Sequence, residues 1–323
     1  MTMLRSGTLL TACLLFTVSA LAQSFPSQAV RIVVPYAAGG STDTLARALA
    51  KELGTSWGQP VVVENISGAD SVIGTSRVAG AAPDGHTLLL TIDPTVVGNR
   101  FLFKKLPYDP DKSLVPITML ARSGIFVVVN PSVPVHNLRE LVEMARRSPG
   151  KIAYSSVGRG TSAHLILETL AKREGVSFLH IPYKGVAPAT TAVVAGEVSI
   201  STGSPAANGA MVKAGRVRAI AITAPQRTKL FPDVPTAAEA GYPYVVSWIW
   251  FGLFAPGGTS PQVVDRIYRD STAILKQPEF TEKYLTAFSL DRVANSPSEF
   301  AEAIRTHVAE MGEMIKAAGV QPE

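Results

Sequence analysis

The chain has 323 residues, of which 46% are hydrophobic and 17% charged, with a net charge of +5 and a mean hydropathy of +0.22. That length accommodates two packed domains, and the composition excludes a disordered chain. Aromatic residues make up only 7% and the basic residues are scattered, so neither a base-stacking platform nor a phosphate-tracking stripe exists and nucleic acid is excluded as a partner.

Residues 1–22 read as an export signal. Arg5 supplies the positive end, Leu9 to Val18 a short apolar run, and Ala20-Leu21-Ala22 a small-x-small cleavage site that leaves Gln23 first. The apolar run is shorter than the ~20 residues a membrane span requires. Removing this segment takes away Arg5 and Cys13, so the net charge falls by one and no cysteine remains. Disulfides, thiol catalysis and thiolate metal sites are thereby excluded. The expected location is the periplasm.

Short β-branched runs then alternate with helical patterns. Val30–Pro35 predicts a strand, Thr42–Leu53 a helix, Val61–Asn65 a strand, Ile73–Ala81 a helix and Thr87–Ile92 a strand, an order that implies a parallel sheet. A second set starts at Phe126–Asn130, followed by helix Leu138–Arg147, strand Ile152–Ser156, helix Ser162–Glu174 and strand Phe178–Ile181. Helix Pro188–Ala195, strand Val198–Thr202, helix Ala206–Ala214 and strand Val217–Thr223 continue it. Helices at Pro261–Leu275, Pro278–Phe288 and Pro297–Ala317 are too few for a third unit, so they are expected to cover the first. The predicted organisation is α/β with two lobes, a discontinuous first lobe (residues 23–124 and 246–323) and a second lobe (125–245).

Two strand-to-helix joints carry the chemistry. Tyr36-Ala37-Ala38-Gly39-Gly40-Ser41-Thr42 and Ser156-Val157-Gly158-Arg159-Gly160-Thr161-Ser162 both combine small residues with capping hydroxyls. Small side chains let backbone N–H groups approach an anion, and a helix N-terminus favours negative charge. In open α/β sheets such joints lie at the carboxyl ends of strands, where ligands bind. Carboxylate, phosphate and sulfate all remain open. Neither joint has the pattern of a nucleotide-binding loop, and Ser41 or Thr42 also suits an ordinary N-cap. Asp43 reads as structural, paired one turn on with Arg47. The histidines at 86, 136, 164, 180 and 307 lack metal spacing, and no nucleophile–base pattern appears, so neither metal nor cofactor is expected. His164 is either a ligand-facing imidazole or a packed one. Trp248, Trp250 and Phe251 are expected to pack where the lobes join; Pro182 to Gly185 reads as a turn whose Lys184 is expected to be solvated, the alternative being that Tyr183 or Lys184 edges the cleft.

These and further segments together resemble the Bug family of substrate-binding receptors associated with tripartite tricarboxylate transporters. The resemblance rests on Val33 to Asp43 with Ala46-Arg47, Trp57 to Asn65, Pro83 to Leu89, Gly158 to His164, Ile181-Pro182-Tyr183-Lys184-Gly185, Phe231 to Thr236 and Ala238 to Gly241. It implies a two-lobed periplasmic binding protein of type II-like fold, with a carboxylate closed between the lobes. The implied contacts are Tyr36, Ala37, Ala38, Gly39, Gly40, Ser41, Thr42 and Ser71 in the first lobe. In the second they are Ser156, Gly158, Thr161, Ser162, His164, Thr202 and Gly203. The chain departs from the family pattern at Asn65 to Ser71, at Thr202-Gly203, where many members carry Asp, and at Thr191-Ala192, where an acidic residue is frequent. The implied function is a monomeric receptor that passes a small mono-, di- or tricarboxylate, or an acidic amino acid, to transporter membrane subunits. The alternatives are input to the extracytoplasmic domain of a sensor and, on the same scaffold, an enzyme.

Overall fold

The computed structural model describes residues 25–183 and 186–322. The export signal expected at residues 1–22 lies outside the described residues, as do Lys184 and Gly185.

The first strands and helices are β1 (Val30–Val34), α1 (Ser41–Trp57), β2 (Val61–Asn65), α2 (Val72–Ala79) and β3 (Thr87–Ile92). A π-helical turn at Pro94–Gly98 and the short α3 (Asn99–Leu102) lead to β4 (Leu114–Gly124) and β5 (Phe126–Val129). Then come α4 (Leu138–Arg147), β6 (Ala153–Ser156), α5 (Ser162–Glu174), β7 (Leu179–Pro182), α6 (Val186–Ala195), β8 (Ile200–Gly203), α7 (Pro205–Lys213) and β9 (Arg218–Ile222). The chain returns along β10 (Trp248–Pro256) and ends with α8 (Pro261–Leu275), α9 (Pro278–Phe280), β11 (Asp291–Arg292) and α10 (Pro297–Ala318). The helix expected over Pro278–Phe288 is broken into α9, a π-helical turn and a 3-10 turn.

Six strands form one sheet in the order β11-β4-β10-β3-β1-β2, and five form another in the order β7-β6-β8-β5-β9. The parallel arrangement expected of the first three strands is present, and each sheet also holds antiparallel strands. β2, β1 and β3 are parallel, but β10 runs antiparallel to β3 and β4. In the second sheet β7, β6 and β8 are parallel, while β5 is antiparallel to β8 and β9. The cause is the crossing between sheets. Only Ile125 separates β4 from β5, and β10 comes back beside β4 with Trp248 opposite Gly124. A strand returning from the second sheet meets β3 from the opposite direction.

Alternation along the strands sends side chains to both faces. Ile32 and Val34 pack with Leu45 and Leu49 of α1 and Ile267 of α8, whereas Val33 packs with Val78 of α2 and Phe300 and Ile304 of α10. The tail helices therefore cover the first sheet. Val127 and Val129 of β5 pack with α4 and α5, and Phe126 and Val128 with α6. Leu165 of α5 is buried with Phe300 and Ile304, which joins the second sheet's helix to the first sheet's tail. The expected aromatic packing at the crossing is present: Trp250 and Phe251 are buried, and the Arg122 guanidinium lies 4.1 Å from the Trp248 ring centroid.

Candidate functional site

The first joint leaves β1 at Pro35 and enters α1 through Gly40. Gly40, rather than Ser41 or Thr42, is the N-cap, and no side chain caps the helix. The first-turn N–H groups of α1 are therefore left for water or a ligand. Ala37 to Gly40 are exposed, Ser41 is half-buried and Thr42 is buried. Gly39 adopts φ +89°, a left-handed conformation that favours glycine. Its N–H is already committed, donating to Asp43 Oδ2 at 2.9 Å. Asp43 also accepts from Arg47 Nε at 3.1 Å and from Asn65 Nδ2 at 3.0 Å, which is the structural role read from the sequence. Burial works to raise this carboxyl, but Arg47, the Gly39 amide and Asn65 together hold it below its ordinary value.

Beneath the loop lies a web of hydroxyls. Tyr36 Oη is 2.5 Å from Thr95 Oγ1, Thr91 Oγ1 donates to Thr95 Oγ1 at 2.7 Å, and Thr95 Oγ1 donates to Ser71 Oγ at 2.8 Å. Asn99 Nδ2 closes the web on Asp70 O at 2.8 Å. Burial pushes the Tyr36 phenol up to about 12, so it stays neutral. Ser71 follows Gly68, Ala69 and Asp70 in a run of positive φ (131°, 44°, 48° and 76° for residues 68 to 71). Three consecutive non-glycine residues in that region store strain, held by the Ser71, Thr95 and Asn99 contacts.

The second joint is organised differently, because its polar groups satisfy one another. Thr161 caps α5 by accepting from His164 N, and its hydroxyl donates to Gly158 O at 2.8 Å. Gly158 and Gly160 take φ of +144° and +66° to make this turn. Gly160 N donates to His164 Nδ1 at 2.9 Å, and Ser156 Oγ is 2.7 Å from His180 Nε2. The rings of His164 and His180 stack at 4.0 Å, with Tyr154 stacked on His180 at 4.8 Å. Burial, with His180 and Arg159 nearby, brings His164 down to about 3; burial and Arg159 bring His180 to about 4. Both imidazoles are neutral near pH 7. Of the two readings of His164, the geometry supports the packed one. Thr202 donates to Ala163 O at 2.6 Å, which fastens β8 to the first turn of α5, and Gly203 is buried against Asn208.

The structure thus brings Tyr36 and Ser71 together through Thr95, and Ser156, Gly158, Thr161, His164 and Thr202 together around α5. A buried hydrogen bond also links the end of β3 to the start of α5: Ser162 Oγ donates to Asp93 Oδ2 at 2.8 Å. Asp93 is fully buried, and burial pushes its carboxyl up to about 7. Sequence reasoning missed Thr91, Asp93, Thr95, Asn99 and His180. Asp93 also stands at a strand-to-helix joint, Ile92-Asp93-Pro94-Thr95, but without the small residues that marked the other two. Two surface hollows lie elsewhere, one of about 330 Å³ beside Pro131 and Val217 and one of about 260 Å³ between Arg31, Arg77 and Thr87. Neither includes a residue of these joints. Among the described residues, no cluster of three or more His, Cys, Asp or Glu is placed to hold a metal, and no helix is long and apolar enough to cross a membrane.

A family model described as the tripartite tricarboxylate transporter family receptor matches residues 45–320. Protein BugT of Bordetella pertussis is 37% identical over 265 residues, covering 81% of each chain. Among solved structures, R. palustris Rpa4515 with adipate superposes with a TM-score of 0.87 at 30% identity, covering 93% of this chain and 100% of its own. MatC from Rhodopseudomonas palustris with bound malate gives 0.81 at 31% identity, covering 90% and 100%.

Proposed function

The chain belongs to the tripartite tricarboxylate transporter receptor family, and from that premise we propose that it captures a small organic carboxylate in the periplasm and delivers it, chemically unaltered, to transporter membrane subunits. The observation that carries the reading is the bare end of α1. An uncapped helix N-terminus, reached through the exposed Ala37 to Gly40, offers backbone donors to a carboxylate. Asp43, the first-turn carboxylate, is buried, ion-paired with Arg47 and hydrogen-bonded by Asn65 and the Gly39 amide, so its oxygens are engaged within the protein.

Residues 23–124 with 246–323 serve as one lobe and 125–245 as the other, hinged at the paired crossings Gly124 and Trp248. Ligand held between Tyr36–Thr42 and Ser156–Ser162 closes the hinge by making contacts absent in the open form. Adipate on Rpa4515 and malate on MatC support an organic acid as the ligand class. The receptor acts as a monomer, and residues 1–22 direct it to the periplasm.

A thermal-shift screen of mono-, di- and tricarboxylates and acidic amino acids, followed by mass spectrometry of recovered ligand, tests this reading. A ligand that binds only the native state raises the melting temperature. At least one acid is expected to do so and to be recovered intact. Steady conversion of the acid, or no stabilisation by any member of the panel, contradicts the proposal.

A further inference from the structure

Asp93 is a buried carboxylate that reaches from the end of β3 to the second joint. It stands at the end of β3, fully buried, with Oδ2 accepting from Ser162 Oγ of α5 at 2.8 Å. Its other oxygen, Oδ1, is buried without a hydrogen-bond partner. The backbone amides of Asp93 and Trp250 favour the ionised form, yet neither completes a hydrogen bond to Oδ1. A buried acceptor left open in a native fold needs a physical reason. The surroundings supply one. The charge of Asp93 is felt at the Tyr36 hydroxyl, on the first joint's side, while its hydrogen bond reaches Ser162 on the second joint's side. The two sides approach closely here, since a Cβ on Gly98 would lie 3.6 Å from Gly160 O.

The two helix ends are consequently unequal. α1 has no side-chain cap, whereas α5 is capped by Thr161 and has the Asp93 carboxyl against its first residue. An internal carboxylate already holds the place at α5 that a second ligand carboxylate would need, and like charges in a desolvated site repel. A hydroxyl or ammonium group meets the opposite situation, an acceptor without a donor.

We propose that Asp93 is a specificity-determining residue that makes this receptor favour acids carrying one carboxylate and a hydroxyl or ammonium donor over di- and tricarboxylates. The carboxylate of such a ligand sits at the α1 end and its donor is turned toward Asp93. The assignment rests on the carboxylate-receptor reading and narrows its ligand class.

The test is calorimetric titration at pH 8.5, above the value of about 7 to which burial raises Asp93, with two matched series of acids. Butyrate, 4-hydroxybutyrate, 4-aminobutyrate and succinate form one series; hexanoate, 6-hydroxyhexanoate, 6-aminohexanoate and adipate form the other. In at least one series the hydroxy or amino acid is expected to bind at least tenfold more tightly than the dicarboxylate. Asp93→Asn, with Asp93→Ser as a second variant and circular dichroism as the folding control, is expected to shrink that ratio at least tenfold. A dicarboxylate that binds the wild-type protein as tightly as its hydroxy and amino counterparts overturns the proposal while leaving the receptor reading intact, and needs no variant to fold. A ratio unchanged in both folded variants overturns it as well. Absence of binding by every acid overturns the receptor reading, and the proposal with it.

Discussion

Replacing Asp93 with asparagine removes a charge from a buried position with almost no change in size, and the displaced titration of the carboxyl determines how the effect varies with pH. Burial, opposed by the Ser162 hydroxyl and two backbone amides, raises the group from 3.8 to about 7. Between those values the folded protein retains a proton that the unfolded chain has released. Wild-type stability therefore falls as pH rises through this window, and the loss is complete above about 7. A displacement of roughly three units corresponds to about 4 kcal/mol. Asparagine does not titrate, so the stability of Asp93→Asn relative to wild type is expected to increase by about 4 kcal/mol between pH 4 and pH 8.5. Groups titrating elsewhere contribute to both proteins alike and cancel. Urea denaturation across that pH range measures the difference. A difference that is flat, or that falls as pH rises, would refute the claim that Asp93 is buried without full compensation of its charge.

The histidine stack responds to acid in its own direction. His164 and His180 are lowered to about 3 and about 4, so the unfolded chain takes up protons first as pH drops below about 6.5. Stability is expected to fall from there down through those values, and a His164→Gln, His180→Gln double variant to have a flatter melting profile between pH 7 and pH 4. Thr161→Val removes the α5 cap, which costs ~1 kcal/mol; calorimetry should record a lower melting temperature, with acid affinity changed less than about threefold, since the hydroxyl donates to Gly158 O. Gly40→Val is expected to fold normally, because Gly40 has φ −78° and a Cβ there would meet nothing nearer than Ala37 O at 4.0 Å. Its acid affinity, read by titration, should nevertheless fall at least tenfold, or ~1.4 kcal/mol.

Several helix ends carry the caps their residues announce, although Ser41 and Thr42 do not cap α1. Asn137 before α4, Thr161 before α5, Ser260-Pro261 before α8 and the Ser296–Glu299 capping box before α10 all form as their residue types predict. The strands at the crossing between the two sheets were not legible as strands. β4 and β10 are long, largely buried strands carrying Pro116 and Gly252, and neither is among the strands the sequence predicts. Their antiparallel pairing depends on contact between residues more than a hundred positions apart, such as Gly124 with Trp248, which local pattern does not encode. At the site, the small residues of the first joint marked an open helix end correctly in kind, although Gly39 spends its amide on Asp43. At the second joint Thr161 and Ser162, read from the sequence as ligand hydroxyls, also hydrogen-bond within the protein, to Gly158 O and Asp93 Oδ2, which local sequence does not show. Asp93 escaped notice because an Asp-Pro pair after a strand has the composition of an ordinary turn. Only its depth and its contact with Ser162 distinguish it.

The central claim, that a carboxylate is held between the α1 and α5 joints, is tested most directly by amide chemical shifts. Protein labelled with 15N is titrated with 4-hydroxybutyrate, 6-aminohexanoate and adipate in turn. For a binding acid, the amides of Ala37 to Thr42 and of Val157 to Ser162 are expected to shift together along one saturation curve. Saturable binding that leaves either group of amides unmoved would contradict it.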